Sequence, residues 1–480
     1  MYFRFSKLVP ANAALPALAA LLLAACSAPP LQPPKLAIPA SYKENQGAEA
    51  ARWQPAHPAE AEPRGEWWKV FHDSQLDRLI AQATTANADL AAAAARVRQA
   101  RALAGVADAD RSPQISAGFG VQRSHSSDVA LGLPDGTPVP PVTAWQGQLG
   151  ASYEVDLFGR VSSNISAARA DAAASAATYR SVLLALQADV AQTYFRERAL
   201  DAEIALLNQT VQLREQSVRI NQHRFDLGDL GELDMERAKT ELATTRSDVE
   251  ALVRQRAQLE HALAVLLGEP AAAFTLQADP LPATVSVPTI PAGLPSALLE
   301  RRPDVAAAQR EMIAANARIG VARSAMFPAL QLTAAGGGAS QDLSDLFRWT
   351  SRSWLLGALM SLPLVDGGRI DANIARSKAG LDEAVANYRQ RVLVAFADVE
   401  DNLSDLRTLA AQASAIDSAT SSADRSAKLA NQLFEAGRSG YLDVLDAQRN
   451  LLTVERSAVQ LRGERATATV ALIRSLGGGW

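Results

Sequence analysis

The sequence predicts an α+β membrane protein built from two structural repeats. The first observation is a duplication, because residues 179–268 align with residues 388–477 without a gap and share many identical positions. The second is that long stretches lack both glycine and proline, which is typical of helices longer than those of globular domains. The third is that short segments of alternating apolar and polar residues precede these stretches. A duplication of this length indicates a fold of two equivalent units rather than one built around a single catalytic pocket.

The first residues have the pattern of a secretory signal. Basic residues precede an apolar stretch that ends at Ala25, and prolines make this stretch unfavourable as a membrane-spanning helix. The single cysteine of the chain, Cys26, follows directly. The junction resembles the bacterial lipobox, which predicts a lipoprotein signal peptide over residues 1–25 and covalent diacylglycerol and palmitate on Cys26; the alternative is an ordinary signal peptide beside an incidental cysteine. Ser27 is not the aspartate that resembles an inner-membrane retention signal, which favours the outer membrane.

Composition and charge argue against several classes of function. The net charge is −4 with both signs interspersed, so the chain has no basic patch for nucleic acid. The 5 histidines are scattered without metal-ligand spacing, and a lone cysteine rules out an intramolecular disulfide. No nucleophile with a nearby base and no phosphate-binding loop occurs. We therefore predict no catalytic residue, no metal and no cofactor besides the lipid, and we do not expect an enzyme.

The mature chain divides into a tether and two repeats. Residues 26–63 are rich in proline and alanine and are predicted to form a lipid-anchored tether. The first repeat is assigned to residues 64–268 and the second to residues 294–480, each with a helix, two strands and a long helical hairpin. Residues 269–293 form the linker between the repeats and are placed in the equatorial region.

Uninterrupted runs predict the long helices at residues 160–227, 232–267, 381–436 and 441–461. Within them apolar residues recur at steps of three and four, which gives each helix one apolar stripe. A single stripe covers only one or two neighbours, so the helices are expected to pack laterally as coiled-coil-like pairs. Glycine-containing turns at residues 228–231 and 437–440 would join each pair into a hairpin.

Segments with a two-residue period predict β-strands at residues 114–122, 145–155, 330–335 and 354–362. In the first segment Ile115 and Phe119 alternate with small or polar residues, and the fourth has the weakest alternation. A length of about ten residues suits a membrane-spanning β-strand. Either pair alone is also compatible with a soluble hairpin. The four segments together, in a lipidated and exported chain, favour the membrane.

These strands lead to a prediction about assembly. In hydrocarbon every backbone amide needs a hydrogen-bond partner, so an open four-stranded sheet cannot span a bilayer. Single-chain barrels begin at about eight strands. The segments are therefore predicted to contribute a hydrogen-bonded quarter, third or half of a shared barrel, which closes only by pairing across subunits, while the helices continue its wall. The alternative is a monomeric soluble coiled coil whose alternating segments pack on its own helices.

Several motifs resemble those of a known family. They are residues 154–160 (EVDLFGR), 300–308 (ERRPDVAAA), 316–323 (NARIGVAR), 366–369 (DGGR) and 441–449 (YLDVLDAQR). In this order they closely resemble the outer-membrane efflux protein family, specifically its TolC/OprM/NodT-like lipoproteins, over nearly all of the mature chain. The resemblance implies a homotrimer with a twelve-stranded β-barrel, four strands from each chain, continued by a long α-helical coiled-coil periplasmic tunnel. It also implies an outer-membrane location, a periplasmic adaptor protein and an inner-membrane pump of the resistance-nodulation-division type.

The same resemblance implies a gate. Family members narrow the tunnel just past the second hairpin turn with aspartates that face the axis. The matching residues are Asp443 and Asp446, with Leu442 where some relatives have an apolar plug. Residues three apart share a helix face, so threefold symmetry would turn each aspartate into a ring of carboxylates. The alternative is that these aspartates cap the turn or lie on a solvated face, and that capping role is the one assigned to Asp234, which aligns with Asp443.

The two turns are implied to contact the adaptor. Gly228 and Gly231 lie in the first turn, and Gly437 and Gly440 lie in the second. In physical terms these glycines are expected to supply the positive φ that tight helix-to-helix turns require. Both roles are compatible.

Passive export of drugs or other small molecules is the expected function, with the chain as the outer-membrane channel of a tripartite efflux pump. One alternative is the outer-membrane channel of type I protein secretion. Another is a structural outer-membrane lipoprotein that does not conduct ions. Selection of the exported substrate is expected to lie largely with the pump.

Overall fold

The structure is a computed structural model that describes residues 65–134, 136–282 and 301–478, together with 30–31, 34, 39 and 41–44. Its α-helices are α1 (Ser74–Ala86), α2 (Ala88–Ala109), α3 (Arg160–Asp226), α4 (Glu232–Leu266), α5 (Pro303–Ser324), α6 (Arg369–Glu435) and α7 (Tyr441–Ser475). Its strands are β1 (Gln114–Ser124), β2 (Val142–Val155), β3 (Ala329–Ser340) and β4 (Arg352–Ser361). The chain thus runs twice through helix, two strands and a helical hairpin.

The duplication is visible in the lengths of the long helices. α3 and α6 are each 67 residues long, and α4 and α7 are each 35. Gly228 (φ 77°) and Gly437 (φ 68°) adopt the left-handed conformation after the first helix of each hairpin. This conformation costs other residues roughly 1–2 kcal/mol but costs glycine little, so the helix ends where the glycine lies. The two predicted hairpins are confirmed.

Two predicted helix boundaries are wrong. The sequence pattern has the second-repeat helices begin after Gly380 and end before Gly463, but α6 and α7 continue through both glycines. A glycine in a helix interior costs only about 1 kcal/mol relative to alanine, and packing along a long helix offsets this. At Gly463 an added Cβ would lie 2.6 Å from the Cβ of Ala199 in α3. The glycine therefore allows α3 and α7 to approach closely.

The strands form one antiparallel sheet of 4 strands in the order β1-β2-β3-β4. The register places Phe119 opposite Gly147 and Ala334 opposite Leu356. The four predicted strands are confirmed, although β3 continues beyond its predicted end to Ser340. Consecutive antiparallel strands hydrogen-bond within the chain, as expected of the hydrogen-bonded part of a shared barrel, and closure of the barrel across subunits stays a prediction.

Each compact unit of the chain takes parts from both repeats. One unit contains Val97–Ser175 and Ala308–Tyr388, and therefore the sheet. The other contains Leu36–Arg96, Ala176–Ala307 and Arg389–Trp480, and therefore both hairpin turns. In the part of the chain that the structure describes, no helix combines the length and the apolar character needed to cross a bilayer.

The core of the helical unit surrounds Tyr194 of α3. Tyr194 is fully buried, and its hydroxyl donates a 2.7 Å hydrogen bond to Asp73. Asp73 also accepts the backbone N–H of Leu76 at 3.1 Å and so caps α1. Apolar partners in this core include Trp67, Trp68, Leu263, Val470 and Ile473. Burial of each large apolar side chain stabilises the fold by about 1.5–3 kcal/mol, and the single tyrosine–aspartate bond orients α1 within it.

The Arg-Pro-Asp sequence at the start of α5 forms a partly buried ion cluster. Arg302 contacts Asp304 and Asp398, each at 2.8 Å. Burial alone would raise the pKa of Asp304, but the hydrogen bond and charge of Arg302 hold it below its usual value. Pro303 occupies the first position of the helix, where no backbone donor is needed. The cluster ties the start of α5 to α6.

Most of the predicted tether lies outside the described residues. Residues 41–44 are described, and they dock on α6. The backbone N–H groups of Lys43 and Glu44 donate to the carboxylate of Glu400 at 2.7 and 2.9 Å. The ring of Tyr42 is buried beside them. This short part of the tether is therefore a bound segment, because its backbone amides and one aromatic ring find partners on a helix.

Candidate functional site

The sheet has one continuous apolar face. Residues opposite each other in an antiparallel pair share a face, so the register assigns every second residue of each strand to it. The face carries Ile115, Ala117, Phe119 and Val121 of β1, Trp145, Leu149, Ala151, Tyr153 and Val155 of β2, Leu330, Leu332 and Ala334 of β3, and Trp354, Leu356, Ala358 and Met360 of β4. Its exposed large side chains range from 39 % exposure at Leu332 to 79 % at Trp354. Exposed apolar surface of this extent marks a face that meets lipid or another protein.

The opposite face of the sheet consists mainly of small and polar residues. It carries Gln114, Ser116, Gly118 and Gly120 of β1, Gln146, Gln148, Gly150 and Ser152 of β2, and Gln331, Thr333 and Ala335 of β3. β4 departs from the pattern, because Leu355 and Leu359 lie on this face. These two leucines explain the weak alternation of the fourth segment. An apolar face backed by a small and polar one is typical of strands between lipid and an aqueous interior.

The two outer strands each leave one edge unpaired within the described chain. β1 pairs with β2, and β4 pairs with β3. Every residue of β1 is exposed, and so is nearly every residue of β4. A long, bare strand edge next to an apolar face readily pairs with another strand. The sheet is therefore incomplete by itself, and its edges can accept strands of another chain.

The hairpin tips are the second candidate region, and their glycines have two different conformations. Gly228 and Gly437 have the predicted positive φ. Gly231 and Gly440 have φ values of −77° and −78°, so the prediction of positive φ is wrong for them. They are extended N-cap residues of α4 and α7, a position that also favours glycine over alanine.

Asp443 caps its own helix. Its carboxylate accepts the backbone N–H of Gly440 at 3.2 Å. This bond satisfies a free amide at the start of α7, where the helix dipole also favours a negative charge. The alternative interpretation of this aspartate as a cap is confirmed. The residue nevertheless stays exposed, and Leu442 beside it is 41 % exposed, so capping leaves the charge accessible.

Asp446 begins a series of charged contacts from the second hairpin to the first. Its carboxylate lies 3.4 Å from the guanidinium of Arg449, one turn later in α7. The Nε of Arg449 donates to Glu241 of α4 at 2.9 Å. Glu241 also lies 2.8 Å from the guanidinium of Arg214 in α3, so three helices are joined. Two arginines compensate the charge of the largely buried Glu241, while Asp446 keeps 62 % of its side chain exposed.

Arg449 and Glu241 are further functional candidates that only the structure brings together. Arg449 lies three residues after Asp446, which is the spacing of an ion pair on one helix face, so this contact was open to prediction. Glu241 is separated from Arg449 by 208 positions. That contact depends on how the two hairpins pack, and no local sequence signal reports it.

The first hairpin tip carries a different set of contacts. Asp234 pairs with Arg237 at 2.9 Å within the first turns of α4. Its carboxylate makes no hydrogen bond to the N-cap residue Gly231. The predicted capping role of Asp234 is therefore wrong, because a full positive charge one turn away is a stronger partner than a single amide.

The two hairpins contact each other near their turns through aromatic rings. The guanidinium of Arg224 in α3 lies 4.7 Å from the ring centroid of Phe434 in α6. Phe434 also packs against Tyr441 of α7, with 5.6 Å between ring centroids. Tyr441 is buried, and burial raises the pKa of its hydroxyl. The cation–π contact thus joins the two hairpins near their turns, and the aromatic pair packs α6 against α7 within the second hairpin.

An open groove of about 660 Å³ lies beside the second tip. The end of α6 lines it with Arg425, Leu429 and Leu433, and Ser439 and Asp443 line it from the turn. The groove therefore combines apolar surface with charges of both signs. This mixture suits a polar-rimmed contact with another protein.

A buried ion cluster holds the described part of the predicted linker. Arg256 of α4 donates to Asp201 at 2.7 Å and to the carbonyl of Leu276 at 2.6 Å. Glu197 lies 3.1 Å from the same guanidinium, and its burial raises its pKa to about 7. The contacts pack residues 269–282 against α3 and α4, so this stretch is part of the helical unit.

The predicted lipid site cannot be compared with the fold, because Cys26 and Ser27 lie outside the described residues. Within residues 65–134, 136–282 and 301–478, no group of three or more histidine, cysteine, aspartate or glutamate side chains is placed to hold a metal ion.

Known proteins resemble this chain over almost its entire length. The family model described as outer membrane efflux protein matches residues 79–269 and 294–478. The cation efflux system protein CusC of Escherichia coli O6:H1 is 32 % identical over 470 residues, which cover 97 % of this chain and 98 % of CusC. Outer membrane protein OprJ of Pseudomonas aeruginosa is 34 % identical over 466 residues, which cover 96 % of this chain and 95 % of OprJ.

Solved structures resemble the fold to the same extent. A crystal structure of CusC, described in terms of folding and transmembrane channel formation, has a TM-score of 0.83 at 30 % identity, with 94 % of this chain and 99 % of that chain covered. The outer-membrane channel OprN has a TM-score of 0.84 at 28 % identity, with 95 % and 99 % covered.

Proposed function

This chain belongs to the outer membrane efflux protein family, and we propose that it forms the outer-membrane channel of a tripartite efflux pump. The observation that carries the proposal is the extent of the similarity. A cation efflux system protein and an outer-membrane channel match almost the whole chain, including both strand pairs and both hairpins. Export is passive in this proposal. Drugs or other small molecules pass through the channel once an inner-membrane pump drives them.

Three chains join their sheets into one twelve-stranded barrel in this proposal, and the long helices form a periplasmic tunnel. The support is the sheet itself, which has one apolar face, one small and polar face, and bare edges on β1 and β4. Lipid offers no hydrogen-bond partner for these edges, so β4 of one copy pairs with β1 of the next. The number of three copies comes from the family.

Planar-bilayer conductance and cross-linking in mild detergent test this channel. The full chain is expected to conduct ions and to give a cross-linked trimer. Leu149→Arg places a charge on the apolar face and is expected to destabilise the inserted trimer by roughly 2–4 kcal/mol if the site is near the bilayer midplane. Gln148→Arg is the matched control, because the adjacent residue lies on the other face. A stable, non-conducting monomer in the bilayer, or equal effects of the two substitutions, would contradict the barrel.

The gate is proposed to lie at the second hairpin tip. Asp443 and Asp446 lie about one turn apart on α7 with exposed side chains, and threefold symmetry would repeat each as a ring of carboxylates. Leu442 adds an exposed apolar side chain to the same constriction. Arg449 contacts Asp446 and Glu241 together, so it stabilises the arrangement in which the two hairpins are in contact. Opening then requires these charged contacts to separate.

The hairpin tips are also proposed to bind the periplasmic adaptor. Leu227 and Leu233 at the first tip are each 64 % exposed, and the groove at the second tip adds further apolar surface. The turns are accessible, since no atom lies within 4 Å of a Cβ built on Gly228, Gly231, Gly437 or Gly440. The inner-membrane pump is proposed to be of the resistance-nodulation-division type, as the resemblance to OprM/NodT-like lipoproteins implies.

Cys26 is proposed to become the mature N-terminus and to carry diacylglycerol and palmitate in the outer membrane. The support is the lipobox-like sequence before the chain's single cysteine. Cys26→Ala is expected to abolish fatty-acid labelling and to leave unprocessed precursor, both measured on cells grown with a labelled fatty acid. Ser27→Ala retains the thiol and is the control that should be labelled normally. Normal processing and labelling of Cys26→Ala would contradict the anchor.

A further inference from the structure

Two arginines are the only charged residues that the register places on the apolar face of the sheet. In β1 the face ends with Arg123 after Val121, and in β4 it begins with Arg352 before Trp354. All other residues of this face are apolar or uncharged. Both arginines lie at the end of the sheet where the loops join β1 to β2 and β3 to β4. The helices connect to the opposite ends of these strands.

Neither arginine forms an ion pair within the described residues, and both are exposed. The acidic side chains described in the neighbouring loops are engaged elsewhere or lack a contact with them. Asp345 pairs with Arg348 at 3.2 Å. Asp128 accepts backbone N–H groups of its own loop at 2.9 and 2.8 Å. Among the described residues, two uncompensated positive charges therefore border an apolar surface.

Aromatic rings place Arg352 at the level of a membrane interface. Its guanidinium lies 3.9 Å from the ring centroid of Trp349. Trp349 and Trp354 are 77 % and 79 % exposed. Tryptophan favours the boundary between hydrocarbon and headgroups, because its ring is apolar and its N–H is polar. An arginine on a lipid-facing strand costs several kcal/mol at the midplane but only about 0–1 kcal/mol near the interface.

We propose that Arg123 and Arg352 bind the phosphate groups of an anionic lipid in the outer leaflet of the outer membrane. The inference rests on the proposed function, which makes the apolar face the lipid-facing surface and turns the loop end outward. A guanidinium donates paired hydrogen bonds to phosphate oxygens. Because the arginines lie on the two edge strands, pairing of β4 with β1 of the next copy brings both to one rim. A lipid with two phosphates, such as lipid A, spans that junction.

Lipid retention by the full-length protein tests the proposal. The trimer is reconstituted in phosphatidylcholine nanodiscs that contain either bis-phosphorylated lipid A or lipid A with both phosphates removed. Lipid retained after detergent washing is measured by mass spectrometry. The native protein is expected to retain the phosphorylated form at least about fivefold better, since one basic side chain near an anionic surface contributes about that factor.

Substitutions locate the site. Arg123→Gln with Arg352→Gln is expected to reduce retention to that of the dephosphorylated lipid, whereas lysine at both positions keeps part of the preference. Arg348→Gln is the matched control, because this loop arginine is already paired with Asp345. It should retain lipid A as the native protein does.

Several outcomes would overturn the inference. Equal retention of both lipids by the native protein does so without any variant. Equal retention of phosphorylated lipid by the native protein and the double glutamine variant would also overturn it. A double variant that weakens the trimer without changing lipid retention would instead assign the arginines to an acidic partner in the next copy, and this too would overturn the inference.

Conductance of the same samples distinguishes failure of the lipid-binding inference from failure of the proposed channel function. A conducting trimer without lipid preference would contradict the lipid site alone. A sample with neither trimer nor conductance would contradict the channel function as well.

Discussion

The two hairpin tips share a backbone and differ in charge. In both, a helix of 67 residues ends at a left-handed glycine and a helix of 35 residues starts after an extended glycine. At the first tip Asp234 pairs with Arg237, so the exposed pair is neutral. At the second tip the equivalent residues are Asp443 and Asp446, and both are acidic. The position that is basic at the first tip is therefore acidic at the second.

This difference distinguishes the residues that helix packing requires from the exposed charges that packing does not constrain. The turn glycines and the apolar stripes recur in both repeats because they determine where helices end and how they pack. Arg237 and Asp446 are partly exposed, and exposed charges contribute little to the free energy of folding. Charges at the tips can therefore diverge after a duplication without loss of the fold.

The largest expected effect comes from making the second tip resemble the first. Asp446→Arg creates an acid–base pair with Asp443 at the spacing of Asp234 and Arg237. In the proposed trimer a ring of carboxylates becomes a ring of cations, so the cation-to-anion permeability ratio should fall by at least about twofold. The reversal potential in a planar bilayer under a salt gradient measures it.

The reciprocal substitution is the control for this effect. Arg237→Asp adds negative charge to the first tip and should leave the permeability ratio nearly unchanged if only α7 lines the constriction. A shift as large as that of Asp446→Arg would assign the gate to both hairpins. An unchanged ratio in Asp446→Arg would place the gate elsewhere.

A smaller effect separates the two roles of Asp443. Asp443→Asn keeps an acceptor for the N–H of Gly440 and removes the charge, whereas Asp443→Ala removes both. Loss of a helix cap costs about 0.5–2 kcal/mol, so the alanine variant should unfold at a lower temperature than the asparagine variant. Both should show the same reduced cation preference.

Asp234→Ala is the matched control for the cap, because Asp234 makes no such bond at the first tip. It should change the midpoint of thermal unfolding less than Asp443→Ala does. Identical midpoints for Asp443→Asn and Asp443→Ala would mean that the capping bond contributes nothing to stability.

The smallest expected effects distinguish the glycines within each turn. Gly437→Ala forces a side chain into the left-handed conformation and should cost roughly 1–2 kcal/mol. Gly440→Ala has an ordinary φ of −78° and open space around it, so it loses only the N-cap preference for glycine and should cost less than Gly437→Ala. Gly228→Ala and Gly231→Ala repeat the comparison at the first tip. Thermal unfolding of the four variants measures it, and equal costs within a turn would contradict the assigned conformations.

Local patterns explain which elements could be predicted. The two hairpins and the helix ends beside their turns follow from turn glycines and apolar stripes, which act over a few residues. The end of β3 is missed because Gly336–Gly338 carry no side chains that could show an alternation. The structure supplies a reason for one of these glycines, since a Cβ on Gly337 would lie 2.1 Å from the carbonyl oxygen of Gly147 in β2. The need for glycine at this position therefore depends on the neighbouring strand and does not show in the local sequence.

The sequence by itself determined the two repeats, the long helices, the four strands and the apolar face of the first three strands, because these depend on residue period and on local backbone preference. Tertiary structure decided in which register the strands pair within the chain, that Asp443 and not Asp234 caps its helix, and that Arg449 reaches Glu241. The last contact joins residues 208 positions apart. Contacts of this kind depend on which helix faces come together, and that is set by packing of the whole unit and not by any one segment.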